Sequence, residues 1–207
     1  FDDLTLLFAS NPKTIYNQKK LGIKINISAV SEYLSYRYVR TPNSFFKNVN
    51  QVVAGTYIKI NYSKNKLNNT VKTYYKLPKF CNKIENNNFS EFECESKVHD
   101  LLFTSVKRRL VADVKVGSYL SGGVDSSLVA AIAATIQGKN LSTYTVGIKT
   151  NNEFIYARKV AKMYDTDHHE ILYSKEDYFD EWPNLIDSKG GPLGVPNEVP
   201  LSLMTKA

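Results

Sequence analysis

Cysteine is scarce in this chain: Cys81 and Cys94 are the only two in 207 residues, and they form no C-x-x-C pair. Together with three histidines they fall short of a zinc site. Reduced thiols in a cytoplasmic protein are the simplest account of them. Long apolar runs are missing as well. None approaches the ~18 residues that a membrane span requires, so no membrane partner is expected. The start carries neither a signal-peptide pattern nor an initiator methionine. Phe1 already stands in a strand-like run, which predicts an internal piece of a longer chain. There is no basic helix and no aromatic-basic platform. The net charge of +7 therefore reads as a solvated, lysine-rich surface, and no nucleic-acid partner is expected.

What is present supports a globular protein. Hydrophobic residues make up 43% and charged residues 23%, with room for one large domain or two small ones. The most informative stretch is Gly117-Ser118-Tyr119-Leu120-Ser121-Gly122-Gly123-Val124-Asp125-Ser126-Ser127. An apolar run from Val114 to Leu120 leads into two glycines, and then into small and apolar residues at helical spacing up to Ile136. This predicts strand, tight loop and helix. The free N–H groups at such a helix start, together with the positive end of its dipole, form an anion site. Asp125 would repel a phosphate there unless a cation lay between them. Mg²⁺ suits that place, because it binds one or two carboxylates together with phosphate oxygens. No lysine follows the glycines as in a Walker loop, no third glycine completes a dinucleotide fingerprint, and there is no Gly-x-Ser-x-Gly elbow.

The rest of the chain divides by pattern. Strands are predicted over 4–9, 23–27, 52–53, 56–60 and 70–75, with a helix over 28–38, so the first part reads as β-rich. Residues 78–88, rich in lysine and asparagine, read as a linker. Ser90-x-x-Glu93 is a capping box opening a helix with Val98, Leu101, Leu102, Val106 and Leu110 on one face. Strands at 114–120, 141–147 and 169–173 then alternate with helices at 126–136, 153–163 and 175–187, the last containing Pro183. That alternation predicts a doubly wound parallel sheet, with the strand ends at Leu120 and Gly147 side by side. The adjacent His168 and His169 should point to opposite faces of their strand, so an orienting role is preferred to a shared metal. Arg158 reads as part of a solvated helix face. The glycine- and proline-rich run Gly190 to Asn197 reads as an active-site loop.

Ser121-Gly-Gly-Val-Asp-Ser126 resembles the pyrophosphate loop of the ATP pyrophosphatases (the PP-loop, adenine nucleotide alpha hydrolase-like fold). The flanks Asp113-Val114-x-x-Gly117-x-x-Leu120 and Ser127 make it more similar to the glutamine-hydrolysing asparagine synthetases. Upstream, Leu7-Phe8-Ala9-Ser10, Tyr33-Leu34-x-Tyr36-x-Tyr38-Val39, Phe45-Phe46 and Ala54-Gly55 resemble the end of that family's Ntn-type glutaminase domain. The sequence departs from the family at Asn11, Ala54, Gly191 and Pro196-Asn197-Glu198.

The resemblance implies an organisation: the end of a type 2 glutamine amidotransferase domain over 1–78, a linker over 79–90, and the start of an ATP-binding domain over 91–207. It implies ATP and Mg²⁺ as cofactors. The nucleotide would be held by Tyr119, Leu120, Ser121, Gly122, Gly123, Asp125, Ser126, Val146 and Gly147, with Asp125 on the metal and main-chain groups at 119–120 and 146–147 reading adenine. No catalytic side chain is assigned within the chain, because the glutaminase cysteine would lie upstream and a second acidic motif downstream. The implied activity is a ligase that makes an amide from a carboxylate through an acyl-adenylate, with ammonia from glutamine. Aspartate is the expected acceptor, and the family leaves room for a homodimer. Two alternatives stay open: amidation of another carboxylate such as a sugar acid, and a nucleotide-binding module without catalysis.

Overall fold

Strands and helices alternate only after residue 90, and the chain is organised around that change. The computed structural model describes residues 5–18, 22, 24–63, 66–77, 89–150 and 152–207. The chain forms two compact units, one of Phe1–Lys83 with Trp182–Glu198 and one of Ile84–Glu181 with Val199–Ala207. Leu4, Ile23 and the whole of the lysine- and asparagine-rich stretch 78–88, Cys81 included, lie outside the described residues.

In the first unit, Asn11 caps α1 (Pro12–Tyr16) by accepting the Lys13 N–H at 2.8 Å. The helix α2 (Ile27–Tyr36) stops where Arg37 turns left-handed at φ +63°, two residues before the predicted end. The hairpin β1 (Thr56–Ser63) and β2 (Lys66–Thr73) pairs in full register from Thr56↔Thr73 to Ser63↔Lys66. It is the one ladder of this unit among the described residues, so the part expected to be β-rich is less so. Residues 5–9 and 52–53 form no strand, and Ile25 makes a single antiparallel bridge to Phe46. A strand exists only as a ladder of bonds to a neighbour, and apolar alternation cannot supply the neighbour. The 187–194 stretch packs within this unit. Asn11 Nδ2 donates to the Ser188 carbonyl at 2.7 Å, and Tyr33 donates to the Leu193 carbonyl at 2.5 Å.

The second unit opens with α3 (Glu91–Arg109). Its capping box is complete: Ser90 Oγ accepts the Glu93 N–H, and the Glu93 carboxylate accepts the Ser90 N–H at 2.8 Å. Glu91 and Glu93 in the first turn and Lys107, Arg108 and Arg109 in the last complement the helix dipole. Then follow β3 (Gly117–Tyr119), α4 (Val124–Gln137), β4 (Ser142–Gly147), α5 (Phe154–Tyr164), β5 (Asp167–Leu172), α6 (Lys175–Lys189, through Pro183), of which this unit holds the part up to Glu181, and α7 (Glu198–Lys206), of which it holds the part from Val199. The unit is thus mixed α/β around a parallel three-stranded sheet in the order β3-β4-β5.

The expected neighbours, the strands before the loop and after the first helix, are indeed paired. The first is shorter than predicted, because β4 offers its first partner, Ser142, to Gly117. Val111 and Val114, upstream of that point, are 85% and 78% exposed. The core has two parts. Val106 of α3 packs with Ile132, Ala133, Ala134 and Leu141, while Leu120, Ala130, Ala157 and Ala161 join β3, α4 and α5. The alanines let α4 and α5 lie close together. Glu181 is buried but satisfied, taking hydrogen bonds from Ser202 Oγ at 2.6 Å and from Lys206. Among the described residues no helix is long and apolar enough to cross a membrane.

Candidate functional site

Leu120, the last residue before the loop, is 1% exposed and held on both sides of its peptide. Its N–H donates to the Tyr144 carbonyl at 2.8 Å, and its carbonyl accepts the Thr145 hydroxyl. The chain then turns at Gly122, with φ +81°. A Cβ at that position would stand 2.5 Å from Tyr156 Cβ and 2.7 Å from the Ala157 nitrogen, so only glycine fits between the loop and α5. Hydroxyls close the loop. Ser121 Oγ lies 2.9 Å from Ser126 Oγ and accepts the Gly123 N–H at 3.3 Å, and Ser126 Oγ donates to the Gly123 carbonyl at 3.2 Å.

Gly123 is the N-cap of α4, in extended backbone, and no side chain caps the helix. The first intrahelical bond runs from the Ser127 N–H to the Gly123 carbonyl at 3.0 Å. The N–H groups of Val124, Asp125 and Ser126 precede it, in the turn where a helix has no carbonyls of its own to offer. Asp125 stands exposed in this turn. The Ser127 hydroxyl oxygen is buried without a partner among the described residues. Uncapped amides, the Ser121 and Ser126 hydroxyls and one exposed carboxylate are a set suited to phosphate oxygens with a divalent cation beside them. Among the described residues no cluster of three or more His, Cys, Asp or Glu could hold a metal ion alone.

The other expected site residues lie at the sheet's carboxyl ends. Tyr119 is half exposed, its hydroxyl 2.7 Å from Thr205 Oγ1. Val146 is partly buried and Gly147 buried, with the Gly147 carbonyl accepting the Tyr173 N–H at 3.1 Å. Leu120 and Gly147 are not level. Tyr119 pairs with Tyr144, so Leu120 stands beside Thr145 and β4 extends two residues further. The offset arises because β3 gives way to the loop while β4 continues its pairing with β5 to Gly147↔Leu172.

The histidines do face opposite ways. His168 Nδ1 lies 3.0 Å from Thr143 Oγ1 under α5, whereas the His169 ring stacks on Tyr144 with centroids 5.0 Å apart. Arg158 corrects the expectation of a merely solvated helix face. Its side chain is 61% exposed, yet its Nε and Nη2 grip the two carboxylate oxygens of Glu170 at 2.5 and 2.6 Å. This planar fork holds the guanidinium's pKa above its usual value. A helix residue and a strand residue twelve positions apart give no periodic signal of such a pair.

Burial pushes the His168 imidazole below its usual 6.5, only partly opposed by the Glu170 charge, with Nε2 unpartnered at 3.7 Å from Glu170 Oε1. The unfolded chain therefore takes the proton first. The stability this neutral histidine contributes is fully present above pH 6.5 and is lost as pH falls below it. Urea unfolding at about pH 7.5 and about pH 5.5 should show a drop that His168→Gln reduces. An equal drop in the variant would assign the slope to other groups. The depressed carboxyls of Glu32, Glu93 and Asp177 act in a separate, lower window, because their usual values are 4.5, 4.5 and 3.8.

The 190–197 run is a loop, as expected, folded onto the first turn of α7. The Glu198 carboxylate accepts the N–H groups of Gly194 and Val195 at 2.7 and 3.2 Å and pairs with Lys189 at 2.5 Å. Burial alone would raise its pKa, but the Lys189 bond and the two amides outweigh that and hold it low.

A parallel strand ending in a glycine turn and an uncapped helix start defines a class of α/β proteins that hold an anion beyond their strand ends. Comparison with known proteins narrows the class. The family model described as Asparagine synthase matches residues 97–207, and that described as Glutamine amidotransferase domain matches residues 2–75. The chain belongs to the asparagine synthase family. It is 28% identical over 206 residues to the glutamine-hydrolyzing asparagine synthetase 1 of Bacillus subtilis, covering 96% of this chain and 30% of that protein. Over 182 residues it is 28% identical to a putative glutamine-hydrolyzing asparagine synthetase 2 of Methanocaldococcus jannaschii, covering 86% and 34%. The Bos taurus glutamine-hydrolyzing asparagine synthetase is 39% identical over 98 residues, covering 43% and 17%. The chain thus spans about a third or less of the length of these curated relatives.

Proposed function

We propose that this chain carries the ATP-activating loop of a glutamine-dependent asparagine synthetase, a cytoplasmic ligase. The observation that carries the reading is the uncapped start of α4 behind Gly122 and Gly123, with Asp125 in its first turn. A carboxylate is a poor electrophile, because its leaving group would be oxide or hydroxide. In the proposed reaction an aspartate side-chain oxygen attacks the α-phosphorus of ATP, the bond to the bridging oxygen breaks, and pyrophosphate leaves. Ammonia derived from glutamine then attacks the acyl carbon, AMP departs with the bonding pair, and the nitrogen gives up its proton to form asparagine. The amides of Val124, Asp125 and Ser126, with the Ser121 and Ser126 hydroxyls, would hold the departing pyrophosphate. Asp125 would hold Mg²⁺, which when bound neutralises charge developing on that group. Main-chain groups at 119–120 and 146–147 would read the adenine, which presents both a donor and acceptors at its edge.

The two matched regions support the domain plan expected from the sequence: the amidotransferase part over 1–78, a linker over 79–90 and the ATP-binding part over 91–207. In the same reading β3-β4-β5 is one wing of a doubly wound sheet, consistent with β3 having a single neighbour among the described residues.

The test is isotope exchange of pyrophosphate into ATP by the complete protein, offered aspartate and then other carboxylates. Exchange that requires aspartate is the expected result. Exchange with a sugar acid instead would move the assignment to a related amidotransferase. ATP binding without exchange for any carboxylate would make the protein a binding module.

A further inference from the structure

We propose that Arg158 and Glu170 are positioning residues for the phosphate loop, setting its height above the sheet. The proposal rests on the loop reading given above. Three contacts form a circuit. Leu120, from which the loop departs, is tied through its carbonyl to the Thr145 hydroxyl. Thr145 pairs with Glu170 in the β4–β5 ladder, so Glu170 marks the same level of the sheet. Arg158 grips Glu170 with two parallel bonds at 2.5 and 2.6 Å, and Arg158 adjoins Tyr156 and Ala157, the residues against which Gly122 is pressed. The fork thus fixes how far the first turns of α5 stand from the level at which the loop leaves β3.

Neither end of the circuit has slack. Ala157 is fully buried against Leu120, Ala130 and Ala161. Glu170 is confined on its other side by His168, whose Nε2 is 3.7 Å away. A lone exposed ion pair would do little, but a bidentate fork has direction as well as charge and resists rotation of α5. Lysine, a point charge on a flexible stem, cannot replace that direction.

The experiment is calorimetric titration of the complete protein with inorganic pyrophosphate and Mg²⁺, alongside thermal unfolding, for Arg158→Met, Arg158→Lys, Glu170→Gln and the Arg158→Met/Glu170→Gln double variant. Each of Arg158→Met and Glu170→Gln should weaken pyrophosphate about 10-fold, the scale for groups that orient a binding group from behind. The double variant should be no weaker than either single, since both break one circuit. Arg158→Lys should fall between parent and Arg158→Met, and it decides the matter if Arg158→Met does not fold. Variants that unfold earlier yet bind pyrophosphate as the parent does would overturn the positioning role alone. A parent that binds no pyrophosphate would overturn the loop reading itself, and this proposal with it.

Discussion

Asp125→Asn is expected to lower pyrophosphate release from ATP by at least about 100-fold, the scale of one strong electrostatic contact at a reacting centre. The substitution keeps size and shape and removes only the charge. Asp125 is exposed in the first turn of α4, where its carboxylate already sits favourably against the helix dipole. Losing that interaction costs at most about 1 kcal/mol of stability at a surface position. A large loss of turnover with little change in melting temperature therefore separates a metal-holding role from a structural one. Glutamate release from glutamine should persist, because in the proposed reading that chemistry would belong to the separate amidotransferase part. Ser121→Ala should cost less, since in the proposed site backbone amides would carry more of the phosphate contact than any single hydroxyl. Both activities continuing at parent rates in Asp125→Asn would remove Asp125 from the site.

Gly122→Ala is expected to have the second largest effect, and it should act on stability and on binding together. At φ +81° a Cβ costs about 1–2 kcal/mol from backbone sterics alone. The same Cβ would lie 2.5 Å from Tyr156 Cβ and 2.7 Å from the Ala157 nitrogen. Backbone cannot yield as a flexible side chain can, which adds about 1–3 kcal/mol of overpacking. Gly123→Ala is the control. Its φ is −71°, its Cβ would meet only Ser121 Oγ at 3.4 Å, and it should cost about 1 kcal/mol or less as a poorer N-cap. Thermal unfolding with pyrophosphate titration of the two variants checks this. Equal behaviour of the two glycines would mean that the close approach of α5 to the loop does not constrain the site.

Legibility in the sequence followed the range of each signal. The capping box at Ser90 and Glu93 was readable because its partners are three residues apart and satisfy each other's amides. The loop was readable for the same reason: glycines, serines and one carboxylate in a run of six residues prescribe a turn and a helix start. The opposite facing of His168 and His169 followed from the two-residue period of a strand. Predictions that needed a distant partner fared worse. The mostly apolar run at 4–9 suggested a buried strand, yet residues 5–9 have no ladder, and the run from Val114 suggested one that begins only at Gly117.

The sequence by itself determined the backbone form of the loop and the alternation of strand and helix around it, because both are written in contiguous residues whose φ preferences and hydrogen-bonding groups act locally. Only the tertiary structure decided that Leu120 stands level with Thr145 rather than Gly147, that α5 leaves no room at Gly122 for a Cβ, and that Arg158 closes on Glu170. Register, close approach and ion pairing are distances between segments. Such distances are set by how whole surfaces pack, and no local run of residues encodes them.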